Sequence, residues 1–186
     1  MRRFKKFGVL TVAVLALSAI GAANASAAQF TASATGTLSG KATSTHVFTT
    51  NGGQVKCTAL AISGTIKSVA SEEQTVEVKY SGCTAFGFAT VHLTSAVYNY
   101  TVSGQVHIEK TITITVTGAG CSQTVAPQTV SSVGYANNAG KLKVTPNITG
   151  IIYTSTGGLC GSSGANGTTT GTMEWERVGG GTLSVS

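Results

Sequence analysis

The chain has 186 residues, 10% of them charged and 41% hydrophobic, with 24 Gly, 2 Pro, 4 Cys and a formal net charge of +6. So little charge excludes a polyelectrolyte coil, and the absence of a three-residue Gly period with so few Pro excludes a collagen-like rod. What is left is a globular chain with enough apolar residues for a core and, at this length, one domain.

The N-terminus accounts for much of the charge. Arg2, Arg3, Lys5 and Lys6 precede an apolar run over residues 9–20, and small residues follow over 21–28. A basic start, a short apolar run and an Ala-x-Ala site predict a signal peptide over 1–27, cut after Ala27; the run is too short to span a bilayer. The predicted domain is 28–186. It keeps eight basic and six acidic residues, scattered, with Arg177 the single arginine. Nucleic-acid binding needs clustered cations to neutralise phosphates, so it is excluded. No membrane span is expected once the signal is removed.

Along the rest of the chain, period-two alternation and an abundance of Thr and Val predict strands. In order they cover 30–38, 43–49, 55–66, 75–80, 86–94, 96–103, 106–117, 128–135, 141–144, 149–154, 172–178 and 182–185. Within 55–66 the apolar phase changes from odd (Val55, Cys57) to even (Leu60, Ile62, Ile66), which predicts a bulge. In 106–117, Val106, Ile108, Ile112, Ile114 and Val116 share one face, with Lys110 as an intruder. Asn51-Gly52-Gly53 and Asn137-Asn138-Ala139-Gly140 read as hairpin turns, because Gly and Asn tolerate positive φ. Residues 157–171, rich in Gly, Ser, Thr and Asn, read as a long exposed loop. The predicted class is all-β, an antiparallel β-sandwich or barrel-like domain.

All four cysteines lie beyond the predicted signal. An even count in an exported chain predicts disulfides. The pairing Cys57–Cys83 with Cys121–Cys160 is favoured, because each pair brackets one stretch of strands. The spacing lacks the short Cys or His pairs of a zinc site, so no metal and no cofactor is expected.

Residues that suggest chemistry are few. Glu174 and Glu176 share a strand face, at a separation of roughly 6–7 Å that could serve two-carboxylate hydrolysis. His107 and Glu109 share another face; His46 and His92 stand alone. Alternating Thr111, Thr113, Thr115 and Thr117 form a row of hydroxyls and methyls, as on ice-binding surfaces, but on one strand only. For a ligand or sugar platform the aromatic residues to consider are Trp175, Tyr98 and Tyr100.

The stretch Tyr80-Ser-Gly-Cys-Thr-Ala-Phe-Gly-Phe-Ala-Thr-Val91, with residues 30–37 and 147–154, resembles a group of small exported bacterial proteins that share a Cys-Thr-Ala-Phe-Gly block. The resemblance implies export and an all-β domain, and implies no activity. The expected function is that of a secreted, non-catalytic extracellular or cell-envelope protein with a structural or interaction role and a partner in that compartment. A carbohydrate- or ligand-binding module is the alternative, and a secreted hydrolase the second.

Overall fold

The structure is a computed structural model that describes residues 28–186. The predicted signal peptide lies outside the described residues. β1 (Phe30–Ala32) leads into eight long antiparallel staves. The first is β2 (Gly36–Ala42) continued by β3 (His46–Thr50), the second β4 (Gly53–Ile66). After a connection containing β5 (Ala70–Ser71) comes the third, β6 (Glu73–Ala85). The fourth is β7 (Ala89–Leu93) with β8 (Ala96–Thr101), the fifth β9 (Gln105–Ile108) with β10 (Ile112–Val116). The sixth joins β11 (Cys121–Val125), β12 (Gln128–Ser131) and β13 (Val133–Asn138). The seventh is β14 (Lys141–Thr156). A short 3₁₀ turn, Gly158–Cys160, precedes the eighth, β15 (Gly164–Thr170) with β16 (Met173–Arg177); β17 (Leu183–Val185) ends the chain.

Each stave pairs antiparallel with the next in sequence. The eighth then pairs with the first, β15 with β3 and β16 with β2. The sheet therefore closes on itself as an up-and-down barrel, which decides between the two predicted architectures. Closure removes the exposed edges that an open sheet would present. β17, β1 and β5 form a separate three-stranded sheet, and Phe30 and Leu183 on it are buried.

Both predicted disulfides are formed. Cys57 and Cys83 face each other on β4 and β6, and Cys121 at the start of β11 reaches Cys160 in the 3₁₀ turn. Inward positions are apolar: Leu38, Ile62, Val78, Val106, Val144 and Trp175 are all buried. Thr113, Thr115, Thr124 and Thr154 face outward, the reverse of the apolar-out pattern of a membrane-spanning barrel. No helix among the described residues is long and apolar enough to cross a membrane.

Several long staves change the face they bury near mid-length. On β4 burial passes from Cys57 to Leu60, on β6 from Val78 to Cys83, on β14 from Ile148 to Ile151. The phase change predicted in 55–66 is thus present, but the extra residue is elsewhere. β4 and β6 stay in register through it (Cys57↔Cys83, Ala59↔Ser81, Leu60↔Tyr80), because β6 switches face opposite β4, at Gly82 with φ 60°. The register slips by one on the other edge of β4, between Lys41↔Ala61 and His46↔Cys57, so the bulge belongs to the β2–β3 junction.

Three further expectations are corrected. The predicted strand 106–117 is broken at 109–111, which leaves Lys110 exposed between β9 and β10 instead of in an apolar face. The predicted loop 157–171 contains β15. β11 was not predicted at all.

Candidate functional site

The aromatic residues singled out for a surface platform turn inward. Trp175 is completely buried, with its indole edge against Tyr100 (centroids 4.9 Å apart, planes at 79°). β16 places it there by alternation, Met173 and Trp175 inward and Glu174 and Glu176 outward. Gly40, directly opposite in β2, leaves the space: a Cβ there would lie 2.7 Å from the indole Cδ1. Tyr100 is buried as well, and Tyr98 is half-buried. None of the three is available as an exposed sugar platform.

Tyr98 and Tyr100 instead line an interior cavity of about 80 Å³, together with Tyr80, Leu93, His46 and Leu60. The Tyr80 and Tyr98 hydroxyls hydrogen-bond at 2.6 Å, bridging β6 and β8 from inside. Burial pushes the Tyr80 hydroxyl up to about 12, against the opposing effect of that bond, and raises Tyr98 and Tyr100 well above the ordinary tyrosine range. Burial also lowers His46, which the Thr172 carbonyl at 3.3 Å only partly offsets, so the ring is neutral near pH 7. The tyrosines are therefore neutral hydrogen-bonding groups in an apolar chamber.

The wall beside this chamber is slit. β6 and β7 pair at Thr84↔Thr90 and Ala85↔Ala89, and β6 and β8 pair from Val78↔Ala96 onward. Between these points, no ladder pair joins 79–83 to 91–95 among the described residues. The β6 segment is held from its other side by β4, and Val91, His92 and Leu93 are held by β10. Three other interruptions in the wall are bridged. Thr43 and Ser44 N–H groups donate to Thr172, Thr94 N–H donates to Thr113, and the Gln128 side chain bonds the backbone of Ile152. The slit opens as a groove of about 450 Å³, with Tyr80, Cys83, Val91 and Leu93 at its floor and Ser81, Thr84, Thr90 and His92 at its rims. Tyr80 and Leu93 line both spaces. The chamber alone is too small for an ordinary ligand, but the groove falls within the roughly 300–1,000 Å³ of ligand pockets.

The candidates for catalysis are placed apart. Glu174 and Glu176 lie on the outer wall and are both engaged by Lys141 (3.7 and 2.7 Å), and Asn138 donates to Glu174 at 2.6 Å. Lys141 holds the Glu176 carboxyl below its usual range, which favours the charged form over a general acid. The His107 ring bonds the Thr129 hydroxyl at 2.8 Å, whereas Glu109 lies beyond the end of β9. Groups of three or more His, Cys, Asp or Glu placed to hold a metal do not occur among the described residues.

The threonine row has partners that the sequence alone did not reveal. Thr113↔Thr124↔Thr154 and Thr115↔Ser122↔Thr156 rank across β10, β11 and β14. The array is curved, because eight staves closing a circle turn about 45° each. A flat crystal face cannot contact all three staves together.

The slit was invisible to sequence reasoning, because alternation signals strands and not missing pairs between them. The only trace is the Ser81-Gly82 step, where the chain stays in β6 and changes face. No family model matches the chain, and neither a curated protein nor a solved structure is similar to it.

Proposed function

We infer that the chain is an exported, non-catalytic binding module, and that its interaction role is exercised at the slit between β6 and β7. The observation that carries this reading is the five-residue gap in the ladder between β6 and the fourth stave, which opens as a groove over an apolar chamber and shares Tyr80 and Leu93 with it. Such a site combines an apolar floor with a few polar groups, the usual chemistry of small-ligand pockets. It suits a small molecule with an apolar body and a few hydrogen-bonding groups better than a polysaccharide, which needs exposed aromatic faces. Two disulfides fit an oxidising compartment, and the basic-apolar-small N-terminus supports delivery to it.

The test uses the apolar fluorophore N-phenyl-1-naphthylamine on protein secreted from the full chain. Saturable fluorescence enhancement is expected. Leu93→Lys, which puts a charge on the groove floor, should abolish it while leaving the melting temperature within a few degrees. Enhancement that does not saturate, or that survives Leu93→Lys, overturns the reading.

A further inference from the structure

The two ends of the barrel differ in charge. At the disulfide end, four connections meet: Asn51-Gly52, Phe86-Gly87-Phe88, residues 117–120 and residues 157–163. They adjoin one another. Gly52 lies against Cys160 and Gly161, Gly53 against the Phe86 ring, and Gly157 against Gly120. None of the four carries a charged side chain, and Lys56 is the single Lys, Arg, Asp or Glu on the staves nearest this end among the described residues. The opposite end and the half of the wall leading to it hold Lys67, Glu72, Glu73, Lys143 and Arg177.

This uncharged end carries the two most exposed large apolar side chains among the described residues, Phe88 at 84% and Leu159 at 63%, and also Phe86 at 41%. Phe86 also occupies a position that local structure disfavours. With φ of 54° at Phe86 and 82° at Gly87, and Phe88 N–H donating to the Ala85 carbonyl, the three-residue β6–β7 connection contains a β-turn over 85–88 whose two central residues both have positive φ, the pattern that favours Asn-Gly. A bulky residue at positive φ is costly and uncommon. Phe86 is too exposed for core packing to account for it.

We propose that this end is a lipid-insertion surface: the Phe86-Gly87-Phe88 turn and Leu159 enter the interface of a zwitterionic bilayer, and the barrel stands on the membrane without crossing it. Uncharged loops lose little on approaching a neutral headgroup layer, and phenyl and leucyl side chains gain on leaving water. A folded protein partner fits less well. Two phenyl groups, about 200 Å² each at full burial, with one Leu, fall well short of the ~800 Å² per partner of a stable protein pair. The tip is also convex, with no atom within 4 Å of a Cβ built at Gly87 or Gly118. The proposal is independent of the slit.

The experiment is flotation of the secreted protein with phosphatidylcholine vesicles at low and high salt. The wild type should partition equally at both. Phe86→Ser/Phe88→Ser should partition at least about tenfold more weakly, with Phe88→Ser alone intermediate. Phe86→Asn separates a lipid role from a structural one: it suits the turn, so it should raise the melting temperature while weakening partition. Four results overturn the proposal. They are wild type that stays in solution, a double variant that floats as well as wild type, binding only to anionic phosphatidylglycerol vesicles that salt abolishes, and a Phe88-dependent dimer in sedimentation velocity, which would assign the surface to a second copy. A Phe86→Asn variant that melts lower than wild type would return Phe86 to a structural role.

Discussion

The Gln128 carboxamide bonds both backbone groups of Ile152: its Nε2 donates to the carbonyl at 2.8 Å, and its Oε1 accepts from the N–H at 2.9 Å. One side chain thus replaces a missing ladder pair where the sixth stave, bent after Pro127, draws away from β14. The gap between β6 and β7 has no such stitch, and a groove of about 450 Å³ opens there. Gln128→Ala should leave Ile152 bonded to water alone and cost about 1–2 kcal/mol. Gln128→Glu, which keeps an acceptor and loses the donor, should fall between. Urea unfolding at constant m-value would measure both.

Removing Cys57–Cys83 tests the staple nearest the slit. The bridge closes a separation of 26 residues, for which chain entropy predicts about 3.5 kcal/mol. For a domain of this size that corresponds to a melting temperature lower by roughly 7–14 °C in Cys57→Ala/Cys83→Ala. Calorimetry under non-oxidising conditions reads it directly. Cys121→Ala/Cys160→Ala, with a separation of 39, should cost as much or slightly more. Intact mass before and after reduction and alkylation is the accompanying check, with four thiols blocked only after reduction and a start at Ala28.

Alkaline unfolding should be governed by the inner tyrosines. The Tyr80 hydroxyl titrates near 12 in the folded barrel against 10.0 for an ordinary tyrosine. Its folded value is raised, so the unfolded chain releases the proton first as pH rises. The stability it contributes is complete below pH 10 and is lost as pH climbs toward 12; Tyr98 and Tyr100 act in the same direction. Tyr80→Phe should flatten the fall in melting temperature above pH 10 and lower stability at pH 7 by about 1 kcal/mol through the lost bond to Tyr98.

His46 sets the acid side. Its folded value is lowered from 6.5 by burial, so the unfolded chain takes up the proton first as pH falls. The associated stability is present above pH 6.5 and is lost as pH drops through the folded value. His46→Gln should reduce the slope of stability against pH below 6.5, measured by chemical denaturation from pH 7 to 5.

Trp175 is the test of core packing. It fills the space opened by Gly40, packs on Tyr100, and leaves its buried Nε1 without a hydrogen-bond partner. Trp175→Ala should cost about 3–5 kcal/mol. Trp175→Phe should cost less, because it removes the unpaired N–H along with the volume. Gly40→Ala should destabilise by steric conflict with the indole, and the two changes combined should be less harmful than their sum. Melting temperatures of the single and combined variants decide it.

Much of the barrel could be read from residue alternation, and the parts that could not share a physical cause. Asn138 and Gly140 flanking Ala139 announced their hairpin, and 75–80 its strand, because apolar and polar residues alternate there. β11 was missed because its central inward residue is Gln123, whose amide is satisfied inside the barrel by Thr50 at 2.8 Å and the Cys160 carbonyl at 3.0 Å. β15 was missed because its buried position is Gly167, where a Cβ would come within 2.9–3.2 Å of Ile151 and Tyr153. In both strands the inward signal was carried by a residue that does not look apolar. Closure was not legible either, since the seam pairs Leu38 with Arg177 across almost the whole domain. Trp175, a candidate for a ligand or sugar platform, lies fully inside the wall.

The seam between the first and eighth staves also sets the order of assembly. Every other pairing between staves joins neighbours in sequence, so seven hairpins can form one after another as the chain arrives. The last pairing waits for Arg177, and until then β2/β3 and β15/β16 are two open edges of the same half-finished sheet. Two chains at that stage can exchange their final staves as readily as each can close its own. Slow or crowded refolding should therefore yield strand-swapped dimers with native disulfides within each chain, joined at the seam where the barrel otherwise closes.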